Sequence, residues 1–187
     1  GEVGTAEILE MTSPTALQAL GVILSEYFET EDLCKYLSAR CNLKALCVMG
    51  RLFDDDLVSI LELCPNISHL EIHCYHLTED CIPQLATLLS RSHLEVLRLS
   101  NGSFMNPMLT ALAAQGCDSL RFLFFDEFDV GSNEINDIAR QCTGLTQLRF
   151  RLHSEEHLRR IDWFLLSNLT HIMLEWHHRS FNVDANA

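Results

Sequence analysis

Cys64-Pro65-Asn66-Ile67-Ser68-His69-Leu70-Glu71-Ile72 is the stretch that decides the fold of this 187-residue chain. Leu70 and Ile72 alternate with His69 and Glu71, the period of a strand with one buried face. The continuation, Leu77-Thr78-Glu79-Asp80-Cys81-Ile82-Pro83-Gln84-Leu85-Ala86, changes rhythm. Thr78 stands where an N-cap belongs and acids fill the first turn. Ile82, Leu85, Ala86, Leu88 and Leu89 then recur at helical spacing. The block therefore predicts one strand, a loop and one helix.

Outward from this block the same rhythm returns, in Leu94-Glu95-Val96-Leu97-Arg98-Leu99, Leu120-Arg121-Phe122-Leu123-Phe124-Phe125 and Leu145-Thr146-Gln147-Leu148-Arg149-Phe150. Units open at Leu17, Leu43, Ile67, Leu94, Leu120, Leu145 and Leu169, at intervals of 26, 24, 27, 26, 25 and 24 residues. An L-x-x-L-x-L motif with a period of roughly 20 to 29 residues is the mark of a leucine-rich-repeat solenoid. The expected fold is α/β: a right-handed βα superhelix with a concave parallel sheet and helices on the convex side.

Residues 1–41 are expected to form a helical N-terminal segment or first degenerate repeat, 42–176 the repeats, and 177–187 a polar, disordered tail. Ala6 to Met11 reads as a helix fragment. Leu17 to Val22 reads equally well as a strand or as part of a helix capped at Ser13-Pro14. A solenoid ordinarily ends in polar caps. Neither terminus shows one, which suggests a piece of a larger protein or one that leans on a partner.

Hydrophobic residues make up 48% of the chain, enough to fill a core that grows as a stripe, and the formal net charge is −13. That charge disfavours nucleic acid and anionic membrane as partners. No apolar run is long enough to span a bilayer. Gly1-Glu2-Val3-Gly4 carries no signal-peptide character. Of eight cysteines, Cys41, Cys64, Cys117 and Cys142 each precede a repeat leucine by two or three residues. They are expected to stack inward as small hydrophobes, which points to a reducing compartment, cytoplasm or nucleus. Sequons at Asn66, Asn101 and Asn168 pull the other way, but Asn66 and Asn168 sit where turn geometry favours Asn.

The pattern C-x-x-L-x-x-L-x-L followed by T-[DE]-x-x-[LI]-x-x-[LI]-A, best seen from Cys64 to Ala86, resembles the cysteine-containing class of leucine-rich repeats. Cys117 to Leu123 and Cys142 to Phe150 extend the resemblance, which covers about residues 30 to 175. The units depart from that class after the strand, where Arg51, Tyr75, Gly102 and Phe128 replace its polar or cysteine residue. Repeats of this class occur mainly in F-box proteins, substrate receptors of cullin-based ubiquitin ligases. The resemblance implies a substrate-recognition role, with any ligase adaptor bound through regions outside this chain. Residues 1–41 show no F-box.

Catalytic motifs are missing: no glycine-rich phosphate loop, no G-x-S-x-G elbow, no H-E-x-x-H. The expectation is a non-enzymatic domain without cofactor. His69 and His73 share a strand face but stand about 13 Å apart, too far to share a zinc. His73 with a residue of an adjacent strand stays open, although no metal is expected, and Cys74 is read as inward.

Alternation sends the residues between the leucines onto the concave face. That face should show Ala45, Cys47 and Met49, then His69, Glu71 and His73, then Val96, Arg98 and Ser100, then Phe122, Phe124 and Asp126. Gln147, Arg149 and Arg151 follow, then His171, Met173 and Glu175, with Trp176 as an extension. Phe122 and Phe124 beside Arg98, Arg149 and Arg151 have the composition of a protein-binding hot spot, suited to an acidic, C-terminal or phosphorylated segment. Two other readings remain open: the aromatics are covered from within the protein, with the arginines paired to Asp126 or Glu127, or these residues are ordinary surface. An architectural scaffold subunit is the competing function.

Overall fold

In the computed structural model, the described residues are 18–24, 30–38, 42–74, 76–100, 105–115, 117–151, 154–176 and 179–184. Strands and helices alternate: β1 (Ala19–Leu24), α1 (Thr30–Ser38), β2 (Ala45–Gly50), α2 (Asp54–Leu63) and β3 (His69–Cys74). A 3-10 turn (Glu79–Cys81) leads into α3 (Ile82–Arg91), β4 (Val96–Ser100), α4 (Met105–Gln115) and β5 (Phe122–Asp129). α5 (Ser132–Gln141), β6 (Gln147–Arg151), α6 (Glu155–Arg160), β7 (His171–Trp176) and β8 (Arg179–Asp184) complete the order. The strands form one sheet in sequence order, parallel from β1 to β7. This is the expected solenoid.

Pairing in register stacks equivalent residues into rows. Leu46, Leu70, Leu97, Leu123 and Leu148 form one inward row, each at most 2% exposed. Full burial of each such side chain contributes about 1.5–3 kcal/mol, so the row is a major source of stability. A second ladder fixes the strand starts. The N–H groups of Ser68 and His69 both donate to Lys44 O, those of Glu95 and Val96 to Ser68 O, and those of Arg121 and Phe122 to Glu95 O. The same fork recurs at Arg121 O and Thr146 O. Each unit thus satisfies its two first amides on the unit before it.

Cys64, Cys117 and Cys142 are buried and form no disulfide, as their spacing implies, while Cys41 lies outside the described residues. Their carbonyls accept the N–H of Ile67, Leu120 and Leu145, so one residue closes the helix-to-strand turn and fills the core. Cys142, hydrogen-bonded to Cys117 one unit back and buried, has its thiol held well above the ordinary range. Cys74 is also buried, its thiol pushed up to about 12 by burial. Gly50 ends β2 at φ 103°, and a Cβ there would lie 2.2 Å from Leu24 O. Only glycine fits that approach.

Thr78 caps as expected, accepting from Asp80 N–H, although a 3-10 turn intervenes before α3. Its own N–H donates to Asp54 Oδ1 at 2.8 Å and its hydroxyl to Asp54 Oδ2, clasping one loop to the next. The ambiguous first unit is a strand, paired from Ala19 with Ala45, while the segment over 6–11 and Ser13-Pro14 lie outside the described residues.

Two expectations are corrected. The tail read as disordered carries β8, antiparallel on β7; Ser180-Phe181-Asn182-Val183-Asp184 has the polar–apolar alternation of an edge strand, which its polar composition masked. Trp163, expected to pack in the last helix with Ile161 and Leu165, is exposed. α6 stops at Arg160, and Ile161 and Leu166 fill the core instead.

Candidate functional site

Register also orders the concave face. Ala45, His69, Val96, Phe122, Gln147 and His171 form one outward row; Gly21, Cys47, Glu71, Arg98, Phe124, Arg149 and Met173 form the next. Phe122 and Phe124 point outward while Phe125 is buried, as alternation requires. The two outward rings stack, centroids 6.5 Å apart and planes at 19°. Their neighbours leave both half-buried.

The arginines are engaged within the sheet. Arg98 Nε donates to Asp126 Oδ2 at 2.5 Å, and its Nη1 lies 3.9 Å from Glu71 Oε2. Arg149 Nε lies 3.4 Å from Asp126 Oδ1, and its Nε and Nη2 donate to Glu175 Oε1 at 2.9 and 2.5 Å. From β3 to β7 the signs alternate: Glu71, Arg98, Asp126, Arg149, Glu175. The hydrogen bond to Asp126 raises Arg98 above its ordinary pKa, so its charge is fixed at any physiological pH. Asp126 is 8% exposed. Of the readings left open by the sequence, pairing with Asp126 is what the structure places at Arg98 and Arg149.

β5 makes this arrangement. It runs eight residues where β4 and β6 run five. Its register with β6 breaks between Phe124, paired with Arg149, and Asp129, paired with Arg151. Extra residues in one strand bend it and re-aim side chains. Asp126 lies in this irregular stretch, between the two guanidiniums.

Toward β2 the face changes character. Cys47, Glu71 and His73 offer a thiol, a carboxylate and an imidazole whose ligand atoms all lie within 4.8 Å of one another. His73 Nε2 is 3.5 Å from Glu71 Oε2, and its Nδ1 is hydrogen-bonded to Ser100 Oγ. Cys47 has its thiol pushed up, by burial first and then by Glu71, with Arg98 acting in the opposite sense. His69, on the same strand, is hydrogen-bonded through Nδ1 to Ser68 and is not one of this group. The three groups come from two strands, the arrangement of His73 with an adjacent-strand residue that the sequence left open.

The structure thus brings Glu71, His73, Arg98, Phe122, Phe124 and Arg149 together on one face. Arg151 pairs in register with Glu175 on β7. Trp176 pairs with Arg179 at the register parity of Ile172 and Leu174, and its side chain lies outside the described residues. Sequence reasoning placed Cys47, Ser100 and Glu175 on this face without assigning them a role, and Asp126 as one of two possible partners of the arginines; aligning the repeat units would have set Cys47 beside Glu71 and Ser100 beside His73. It missed the rim, where the Arg51 guanidinium sits 5.3 Å over Phe53 and His76 packs at 5.9 Å.

Among solved structures, the leucine-rich repeat-containing protein LegL7 from Legionella pneumophila superposes with a TM-score of 0.61 at 16% identity. The chain has the leucine-rich-repeat fold. The match covers 92% of this chain and 61% of LegL7, so the chain spans about three fifths of that neighbour. No family profile and no curated protein matches. Among the described residues, no helix is long and apolar enough to cross a membrane.

Proposed function

We propose that this chain is a non-enzymatic recognition domain that holds an extended segment of a partner protein on its concave face, anchored on Phe122 and Phe124. The observation that carries the reading is the stacked, outward, half-buried aromatic pair at the middle of the sheet, bordered by the charge ladder. A partner's apolar side chain covers the rings. Arg98 and Arg149 each keep N–H donors beyond those given to Asp126 and Glu175, since a guanidinium has five. An acidic, C-terminal or phosphorylated group of the partner would bind there while competing with those two acids. The free, buried cysteines support a reducing setting, cytoplasm or nucleus. The cysteine-bearing repeat pattern supports a substrate receptor of a ubiquitin ligase as the context.

A second reading, a scaffold subunit, draws support from a different surface. Phe164 is 84% and Trp163 41% exposed on the turn after α6, outside the strands that form the concave sheet. The two readings separate in affinity capture with quantitative mass spectrometry. A receptor loses its partner in Phe124→Ala, a hot-spot truncation of about 2 kcal/mol or more, some 30-fold in affinity. A scaffold keeps its partner in Phe124→Ala and loses it in Phe164→Ala. Retention of every captured protein by Phe122→Ala and Phe124→Ala refutes the concave-face reading.

A further inference from the structure

We propose that Cys47, Glu71 and His73 form a zinc site with one open coordination position on the concave face. Among the described residues they are the one group of three metal-donor side chains gathered within 4.8 Å. Thiolate, imidazole and carboxylate are the three donor types that zinc takes from proteins, with three ligands and a water in open sites. Bonds of about 2.0–2.3 Å put tetrahedral ligands about 3.3–3.8 Å apart. His73 Nε2 and Glu71 Oε2 are already at 3.5 Å. The other separations are at most 4.8 Å, so the site requires side-chain rotation of Cys47 and Glu71 to tighten.

The surroundings are those a metal ligand needs. A zinc-bound histidine ordinarily donates its other ring N–H to a fixed acceptor, which sets its tautomer and orientation. Here the Nδ1 partner is Ser100 Oγ, on the neighbouring strand and buried. Nδ1–H donating to Ser100 leaves the Nε2 lone pair facing Glu71. Charge also balances: the Cys47 thiolate and the Glu71 carboxylate neutralise a divalent ion. Arg98 is 3.9 Å from Glu71 but is held at 2.5 Å by Asp126. That ion pair offsets its repulsion.

Two of the three donors, Cys47 and Glu71, also line a shallow depression with Ala19, Gly21, Ala45 and His69, which gives a fourth ligand room to approach. A Cβ added at Gly21 would meet nothing within 4 Å, so the space beside Cys47 is clear. On binding, Cys47 releases its proton to solvent, Zn–S, Zn–N and Zn–O bonds form, and one water stays on the metal. No electron is transferred.

The test is titration of the reduced, folded chain with Zn2+ by calorimetry and with Co2+ by absorption. One equivalent of Zn2+ is expected, together with a thiolate-to-cobalt charge-transfer band. Cys47→Ser removes the band and weakens Zn2+ at least 100-fold, and His73→Ala does the same to Zn2+. Ser100→Ala keeps the stoichiometry and weakens binding about 10–100-fold. Cys34→Ser, at another partly exposed thiol, changes nothing. Zn2+ raises the melting temperature of the unsubstituted chain but not of Cys47→Ser. If Cys47→Ser unfolds, Glu71→Gln at the half-exposed carboxylate provides the second variant and must also weaken binding. Absence of stoichiometric binding, absence of the band, or undiminished binding by Cys47→Ser, His73→Ala or Glu71→Gln overturns the proposal.

Discussion

Asp126→Ala removes the acid at the centre of the charge ladder, and its effect can be worked from the geometry. Two contacts disappear: Arg98 Nε at 2.5 Å and Arg149 Nε at 3.4 Å. A hydrogen bond to a charged group contributes about 1.5–3 kcal/mol when well shielded. Both guanidiniums keep about a third of their side-chain surface in solvent, which screens the interaction toward the ~0–1 kcal/mol of surface pairs. The short contact should then contribute about 1.5 kcal/mol and the long one about 0.5, together about 2 kcal/mol. For a chain of this size that lowers the melting temperature by roughly 4–8 °C. Asp126→Asn keeps an acceptor for Arg98 and should lose about half as much.

The opposite deletion is more severe. Arg98→Met leaves Asp126 buried with Arg149 as its remaining cation, 3.4 Å away in a contact that is not a hydrogen bond. A buried charge stripped of its best partner costs about 3 kcal/mol. The order Arg98→Met worse than Asp126→Ala worse than Asp126→Asn, measured by urea unfolding, is the signature of a desolvated central acid. An Asp126→Ala change below about 0.5 kcal/mol, or the reverse order, would refute this account of the ladder, because exposed pairs contribute only about that much.

Gly50→Ala should destabilise by at least about 1–3 kcal/mol in the same assay, because alanine is strained at φ 103° and its Cβ meets Leu24 O. Phe125→Ala, at a ring 1% exposed, should lose about 3–5 kcal/mol, while Phe124→Ala on the opposite face of the same strand should lose about 1 or less; equal losses would mean that the strand's two faces are misassigned. Alkylation at pH 8 should spare Cys74 and Cys81 in the folded chain, since burial first of all pushes both thiols up to about 12, and should reach them once urea exposes them. Mass spectrometry of the tryptic peptides reads this out, and rapid labelling of folded Cys74 would contradict its burial.

The solenoid was legible because its signal is summed over units. Leucines 24 to 27 residues apart report one buried row, and no single substitution hides it. Cysteines in phase with those leucines were legible for the same reason. Interactions between rows were not. Alternation places Arg98, Asp126 and Arg149 outward but does not tell which charges touch. That depends on the register break in β5, where sequence shows only an extra Asp-Glu-Phe-Asp stretch. Cys47 and His73 are 26 residues apart and meet across two strands; counting along one strand rules out His69 with His73 but cannot name the adjacent-strand partner of His73. β8 escaped notice because its alternation is short and polar. Trp163 was misplaced because Ile161 and Leu165 mimic a helical period in a segment whose helix has already ended.

The measurement that bears most directly on the central claim is site-specific photo-crosslinking from the concave face. A photoreactive phenylalanine replaces Phe124 in one variant and Arg91, exposed at the end of a convex helix, in another. With a captured partner, crosslinks should form from position 124 and map to one short extended segment, with none from position 91. Crosslinks from position 91 alone would contradict recognition by the concave sheet.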